Sequence, residues 1–251
     1  MNIALILLLN LAVGACIGLT GIAGFLLPMF YTGFLGMPAA ESLALSFSAF
    51  LISGILGAVT YYKAGNLAVR PAVVLSAGSL LGALAGVRIN LLIPEDVMQI
   101  LLYAVVLISG VSILLRRGGK EGADAGTAVL SAGRMAFYFL LGIVTGAVCA
   151  ASGAGGPVLV MPLLTLLGFP AHTAVGMSLF DSVFIALPAA AGYLWHASDN
   201  REMFLLLVPV LTAHGIGVIA GSRNAERIDQ DLLKRIVAVG SIAIALVKLF
   251  K

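Results

Sequence analysis

The chain has 251 residues, of which 61% are hydrophobic and only 10% are charged. A typical soluble domain is about half apolar and about a quarter charged, so a soluble fold of this length could not bury so much apolar surface. The formal net charge is +3, but the basic residues gather at the ends of apolar runs and are not interleaved with aromatic residues. The sequence therefore predicts an integral membrane protein whose partner is the lipid bilayer, and nucleic acid is excluded as a partner.

Eight hydrophobic stretches follow one another along the chain, and a membrane-spanning helix needs about 20 mostly apolar residues. In chain order they are residues 3–34, 39–62, 70–92, 97–115, 135–168, 171–195, 203–222 and 232–250. The first stretch has no basic flank and continues beyond the length of a signal-peptide core, so we expect a retained membrane segment. The longest polar linker, 116–134, is rich in glycine and favours a flexible connection between two halves.

The two halves share a spaced pattern of glycine, proline, serine and tyrosine. A shift of 132 residues superimposes Gly21 on Gly153, Gly24 on Gly156, Pro38 on Pro170, Ser46 on Ser178 and Tyr61 on Tyr193. After a three-residue insertion, Arg88 matches Arg223. This pattern predicts an all-α polytopic membrane protein of two homologous four-segment repeats, at 1–116 and 134–251, with a connecting loop at 117–133.

The first hydrophobic stretch of each half exceeds thirty residues and contains a glycine cluster. The clusters are Gly18-Leu-Thr-Gly21-Ile-Ala-Gly24 and Ser152-Gly-Ala-Gly-Gly-Pro157. Glycine disfavours a helix interior by about 1 kcal/mol and proline by about 3, so we expect each stretch to be broken or re-entrant there. Freed backbone groups in a membrane must find protein partners or line a wet cavity, and a helix starting near Pro157 would present its N–H groups to an anion. The alternative is that the glycines only allow close helix packing.

The sequence from Gly153 to Pro157, followed by an apolar stretch ending at Pro162, resembles the hallmark of the TauE/SafE sulfite exporter family. Its recurrence near the start of each half and the Gly-x-Arg sequences ending at Arg88 and Arg223 strengthen the resemblance, which covers essentially the whole chain. It implies a secondary transporter of small anions, especially sulfite and organosulfur anions such as sulfonates, with no cofactor and no metal. We expect such a protein in the bacterial cytoplasmic (inner) membrane. The first half lacks the dense glycine pattern of the second half. We therefore expect the second half to make more of the contacts with the substrate.

Candidate substrate-binding residues come from three groups. The glycine clusters contribute Thr20, Gly21, Gly24, Ser152, Gly153, Gly155 and Gly156. Ser46 and Ser178 could donate to a substrate oxyanion, or could bond their own helix backbone. Arg88 and Arg223 could hold sulfite or sulfonate oxygens with the guanidinium fork, or could extend to the membrane interface.

Ionisable residues inside the predicted segments are candidates for proton or ion coupling, because charge in a membrane is costly. Asp181 could carry a proton, hold a cation, or form a structural hydrogen bond. His172, in the first turn of its segment, could titrate near neutral pH or could be structural. Glu41 suits the positive end of a helix dipole, and for His214 we expect a packed, hydrogen-bonded side chain.

Two topologies stay open. If the broken segments cross fully, the repeats are parallel and the Lys plus Arg residues divide 9 to 5 between the two sides. If they dip in and return, the repeats are inverted, the division is 10 to 4, and both termini lie on the less basic side. The positive-inside rule favours the second topology only slightly.

An enzyme is not expected, because the chain lacks His-Glu-x-x-His, Gly-x-Ser-x-Gly and a phosphate-loop lysine. A small-anion transporter that works by alternating access around a midplane site explains the paired breaks. The alternative is a cation (Na⁺ or H⁺) transporter or channel, because unwound carbonyls and a buried acid also bind such ions. The direction of transport and a homodimeric assembly stay open.

Overall fold

A computed structural model describes residues 3–21, 23–94, 131–197 and 201–225, with isolated positions between 96 and 111 and between 239 and 246. In the four continuous ranges the chain forms α1 (Ile3–Thr20), α2 (Leu26–Gly33), α3 (Ala39–Lys63), α4 (Val69–Leu92), α5 (Ala132–Ser152), α6 (Gly156–Leu166), α7 (Ala171–His196) and α8 (Arg201–Arg223). The predicted segments 97–115 and 232–250 and the loop 117–133 lie almost entirely outside the described residues.

Six of these helices are long and apolar enough to cross a membrane, namely α1, α3, α4, α5, α7 and α8 from Met203 onwards. Large apolar side chains cover their outer faces, and Leu8, Val144 and Val208 are each more than half exposed. Such side chains are stable only when lipid replaces water around them. The all-helical architecture therefore agrees with the predicted polytopic membrane protein.

The first stretch of each half is interrupted at its glycine cluster. α1 ends before Gly21 and α5 ends before Gly153, and both glycines have a left-handed backbone, with φ of +75° and +76°. This conformation is disfavoured for residues that carry a Cβ. Gly18 serves a different purpose, because it lies within α1 and lets that helix touch the backbone of Val218 in α8. Close packing and helix breaking are thus divided between different glycines of one cluster.

After each break the short helix folds back along the helix before it. Asn10 of α1 donates from Nδ2 to the hydroxyl oxygen of Tyr31 in α2 over 2.6 Å. In the second half, the ring of Phe169, which follows α6, lies 6.2 Å from the ring of Tyr138 near the start of α5. Each pair joins residues far before the break to residues well after it. The broken stretches therefore start and finish at the same end of the bundle.

Contacts at glycines set the relative directions of the long helices. Gly54 of α3 lies against Val183 of α7, whereas Gly176 lies against Tyr61, so these two central helices are antiparallel. Between α1 and α8 the contacts follow the same order along both helices, because Gly14 contacts His214 and Gly18 contacts Val218. Those two helices are parallel.

The contacts between α4 and α5 also follow the same order along both helices, because Gly78 contacts Phe139 and Gly82 contacts Ile143. This pair is therefore parallel as well. The first helix of each half consequently packs on the last described helix of the other half. We call the end of the bundle where α3 finishes the Lys63 end, and the end where α3 starts the Glu41 end. α1 starts at the Glu41 end and α5 starts at the Lys63 end.

Two buried tyrosines, 132 residues apart, hold the last turns of α1 and α5. The Tyr61 hydroxyl donates to the carbonyl oxygens of Gly18 and Leu19, at 3.2 and 3.3 Å. The Tyr193 hydroxyl donates to the carbonyl oxygen of Ala150 at 2.9 Å. Carbonyl groups in the last turn of a helix have no partner within the helix, so each tyrosine stabilises a helix end beside a break.

We expect Tyr193→Phe to lower the free energy of unfolding by about 1 kcal/mol. The Ala150 carbonyl loses its buried donor, while the ring keeps its stacking on Phe47 with centroids 5.6 Å apart. The midpoint of thermal unfolding in detergent micelles measures the change. Tyr62→Phe is the control, because Tyr62 is 62% exposed. An unchanged midpoint for Tyr193→Phe would contradict this role.

Candidate functional site

The two breaks meet at the middle of the bundle, around the ring of Phe50. A Cβ atom built on Gly24 would lie 3.0 Å from this ring, and one built on Gly155 would lie 3.1 Å from it. Ser182 of α7 lies against Gly156 in the same way, with its Cα 3.2 Å from the Cβ position. Phe50 and Ser182 are both near the midpoints of their helices. Gly24, Gly155 and Gly156, which follow the ends of α1 and α5, therefore lie at mid-depth in close contact with α3 and α7.

The N-terminus of α6 points into this central region. The chain enters α6 through Gly155, whose φ of +79° and ψ of +150° are essentially restricted to glycine. The first N–H groups of a helix have no acceptor within the helix, and here the N-cap residue has no side chain that could accept from them. They carry the positive end of the helix dipole. Gly156 and Pro157 are buried, so the positive end is shielded from bulk water.

Ser46 adds a side-chain donor to the same place. Its hydroxyl is fully buried and has no hydrogen-bond partner among the described residues. Leu43 contacts Gly153 and Phe50 contacts Gly155, so this face of α3 lies on the break before α6. Ser46 lies on the same face, because residues three and four positions apart on a helix are neighbours. Ser46 therefore belongs to the face of α3 that packs on the break before α6.

Three other predicted residues support the backbone of the breaks. Ser178 lies beside Gly21, but its hydroxyl donates to the Val175 carbonyl of its own helix at 2.9 Å. Thr20 donates to the Cys16 carbonyl at 2.8 Å. The Ser152 hydroxyl accepts from the N–H of Ala154 at 3.3 Å. Ser46 and Ser178 match in sequence, yet only the hydroxyl of Ser46 is left without a partner in the described part of the chain.

Asp181 is fully buried in α7, next to Ser182. The hydroxyl groups of Ser76 and Ser79 in α4 are close enough to interact with its carboxyl group. Neither carboxyl oxygen makes a hydrogen bond of good geometry within the described ranges. Cys149 of α5 is also near enough to be affected by a charge on Asp181, and its sulfur lies 4.0 Å from the Gly156 carbonyl oxygen. A buried carboxyl group beside the second break can hold a proton or a cation.

The predicted arginines and His172 lie away from the centre. Arg88 is exposed near the Glu41 end, and Arg223 is exposed where α8 finishes, at the Lys63 end. His172, in the first turn of α7, lines a cleft together with Arg223. Glu41 lies in the first turn of α3, where it suits the helix dipole.

His214 is fully buried against Gly14, as predicted for a packed side chain. Its ring is close enough to the Asn10 backbone to interact with it. Neither ring nitrogen makes a bond of good geometry with any residue that the structure describes.

Sequence reasoning missed Phe50 and Ser182, two residues that touch the glycines of the breaks at mid-depth. No motif marks Phe50, because one aromatic residue in an apolar helix is ordinary. A signal did exist, because Phe50 and Ser182 are 132 residues apart and match Gly24 and Gly156 with the same shift. The matched contacts could have been sought from the predicted repeat.

Long apolar helices with two broken segments that approach each other at mid-depth occur in many membrane transporters. The sequence profile described as "Sulfite exporter TauE/SafE" matches residues 6–247, so the chain belongs to this family of membrane transporters. The family resemblance predicted from the sequence is confirmed. The chain is similar to the "Probable membrane transporter protein YdhB" of Bacillus subtilis (strain 168), with 24% identity over 250 residues that cover 98% of this chain and 100% of that protein. No solved structure matches the chain significantly.

Proposed function

We propose that this protein transports a small anion, sulfite or an organosulfur anion such as a sulfonate, by alternating access across the bacterial cytoplasmic membrane. The observation that carries the proposal is the buried hydroxyl of Ser46, without a partner in the described ranges, on the face of α3 whose Leu43 and Phe50 contact the break before α6. A helix dipole and an O–H donor together favour an oxyanion over a neutral solute. The family description supports the choice of sulfur oxyanions.

The arrangement of the helices supports two inverted repeats as the moving parts. The first helix and its folded-back partner start at opposite ends of the bundle in the two halves. α3 and α7 are antiparallel neighbours, as expected for elements beside a two-fold axis in the membrane plane. Transporters of this kind bind substrate near the midplane and expose it by rocking one unit against the other. The central site lies where the two halves meet.

Asp181 is the proposed coupling residue. A charged carboxylate beside Cys149, which contacts the Gly156 carbonyl, would repel an anion at the N-terminus of α6. A protonated Asp181 removes this repulsion, so the anion and the proton favour each other's binding. Because proton binding and anion binding favour each other, this coupling supports transport of one proton together with the anion.

The cation alternative also has an observation in its favour. The Asp181 carboxyl group and the hydroxyl groups of Ser76 and Ser79 bring oxygen atoms together in a buried place. Oxygen atoms are the ligands that Na⁺ binds in transporters. Uptake driven by a Na⁺ gradient, and absent with a proton gradient alone, would favour this alternative.

Ser46→Ala tests the anion site directly. We expect KM for a sulfonate to rise about tenfold, because a hydrogen bond to a charged group is worth about 1.5–3 kcal/mol. Stability should stay equal or increase, since the hydroxyl has no partner in the described part of the protein. Saturable uptake of labelled sulfite and of a sulfonate into proteoliposomes, with thermal unfolding in parallel, measures both.

Ser48→Ala is the matched control, because the Ser48 hydroxyl donates to the Ala44 carbonyl of its own helix at 2.7 Å. Its KM should stay near that of the unsubstituted protein. An unchanged KM for Ser46→Ala would remove this hydroxyl from the site. Absence of saturable uptake for both anions by the folded, unsubstituted protein would overturn the proposed substrate class.

A further inference from the structure

A cleft of about 180 Å³ lies at the Lys63 end of the bundle, away from the central site. The finishing turns of α3 and α8, the loop after α3 and the first turn of α7 form its walls. The polar residues of the described ranges that line it are Thr60, Tyr61, Asn66, His172, Ser222 and Arg223. Hydroxyl, amide, imidazole and guanidinium groups therefore share one small space at the border of the membrane.

The exposed charged side chains that the structure describes at this end of the bundle are basic. Exposed basic residues at the Lys63 end are Lys63, Arg70, Arg134 and Arg223. The acidic side chains that the structure describes, Glu41, Asp96 and Asp181, lie at the Glu41 end or at the centre. A cleft with walls of low dielectric and one sign of charge concentrates ions of the opposite sign.

Tyr61 connects this cleft with the first break. Tyr61 lines the cleft, and its hydroxyl donates to the carbonyls of Gly18 and Leu19, just before Gly21. Movement of that ring would connect the cleft to the central region. The cleft is therefore placed as an entrance to the transport path.

The matching positions at the other end of the bundle have less polar residues. Val87 matches Ser222, Gly192 matches Thr60, and a Cβ on Gly192 would lie 2.7 Å from a methyl group of Val87. Ala40 stands at the position that matches His172. Both halves line the cleft at the Lys63 end, but its hydroxyl and imidazole groups are not repeated at these matching positions.

We propose that this cleft is a second anion-binding site, where Arg223 and His172 hold the transported anion before it passes Tyr61. The identity of the ligand as a sulfur oxyanion rests on the proposed function, whereas the preference for anions rests on the cleft itself. The excess of basic residues places the Lys63 end on the cytoplasmic side by the positive-inside rule. The cleft is then the site that collects the anion from the cytoplasm.

The charge preference can be measured without any transport assay. Ala64 lines the cleft and is exposed, so Ala64→Cys introduces a thiol there in a background with Cys16→Ala and Cys149→Ala. Its rates of reaction with anionic sulfonatoethyl and cationic trimethylammonioethyl methanethiosulfonate are compared in membrane vesicles. We expect the ratio of anionic to cationic rates to exceed that of a free thiol. Adding Arg223→Gln should lower the ratio about fivefold, as expected for one nearby charge in a partly aqueous space.

His196→Cys is the matched control, because His196 is exposed 132 residues further along, at the other end of the bundle. Its rate ratio should not respond to Arg223→Gln. Methanesulfonate should slow the reaction of Ala64→Cys, and inverted vesicles should react faster than right-side-out vesicles. A ratio that Arg223→Gln leaves unchanged, or a thiol that reacts in neither kind of vesicle, would overturn the proposal. Thr60→Cys, on the same wall, repeats the test if Ala64→Cys does not fold.

Transport then separates this proposal from the proposed function. Arg223→Gln should raise KM for a sulfonate about fivefold with little change in kcat, whereas Arg88→Gln, at the matched position, should leave both unchanged. Charge selectivity at Ala64→Cys without any sulfite or sulfonate transport would support the anion site and reject the substrate. Normal sulfonate transport with no selectivity and no effect of Arg223→Gln would reject the cleft and leave the central site standing.

Discussion

Gly155→Ala is expected to lower anion transport about 100-fold while the protein still inserts in the membrane. Two effects combine at this residue. The backbone conformation, φ +79° and ψ +150°, costs a residue with a side chain about 1–3 kcal/mol, and the new Cβ would lie 3.1 Å from the Phe50 ring. The chain relieves both by moving the N-terminus of α6. Displacement of binding groups by about 1 Å can cost a factor of about 100 in rate.

The measurement is the initial rate of sulfonate uptake into proteoliposomes, corrected for the amount of inserted protein. Gly36→Ala is the control, because Gly36 also has a left-handed backbone, with φ of +64°, but has no atom within 4 Å of the Cβ position. The Gly36→Ala variant should transport almost normally, because its new Cβ stands on a left-handed backbone but meets no neighbouring atom. Normal transport by Gly155→Ala would show that the N-terminus of α6 does not bind the anion.

Asp181→Asn is expected to abolish accumulation driven by a pH gradient while exchange of anions across the membrane continues. Asparagine keeps the size of the side chain but cannot gain or lose the proton. With one proton per anion, a gradient of one pH unit supports about tenfold accumulation, and this should fall to none in the variant. Exchange should continue because the neutral amide, like a protonated acid, does not repel the anion.

Accumulation and exchange of a labelled sulfonate are measured in the same proteoliposomes. Glu41→Gln is the control, because Glu41 lies in the first turn of α3, away from the central site around Phe50. Its accumulation should match that of the unsubstituted protein. Gradient-driven accumulation that survives in Asp181→Asn would exclude this residue from proton coupling. Loss of exchange as well would show that Asp181 acts in binding or folding instead.

The membrane class and most helix limits were predictable because they depend on local properties. The stretches 39–62 and 70–92 correspond to α3 and α4 within one residue at each limit. A run of apolar residues ended by charge or proline has few alternatives in a lipid environment. The interruptions near Gly21 and Gly153 were predictable for the same reason, since the conformational cost of glycine in a helix is a local quantity.

The composition of the central site was predictable only in part. Gly155, Gly156 and Ser46 were proposed from the sequence, and the structure places them together around Phe50. Arg88 was grouped with them, but it lies near the end of α4. Periodicity identifies the inner face of an amphipathic helix, and these helices are apolar on every side. The sequence therefore could not tell which face meets the breaks.

The sequence by itself determined that the chain is a membrane protein, which residues form most of its helices, and at which residues two of the apolar stretches are interrupted. Only the tertiary structure decided that the broken stretches fold back, since the two topologies differed by a single basic residue in the charge count. Contacts between distant parts of the chain, such as Asn10 with Tyr31 and Phe50 with both breaks, make that choice. Helix formation and membrane insertion are local effects of each segment, whereas the packing of one segment on another depends on shapes that no single segment contains.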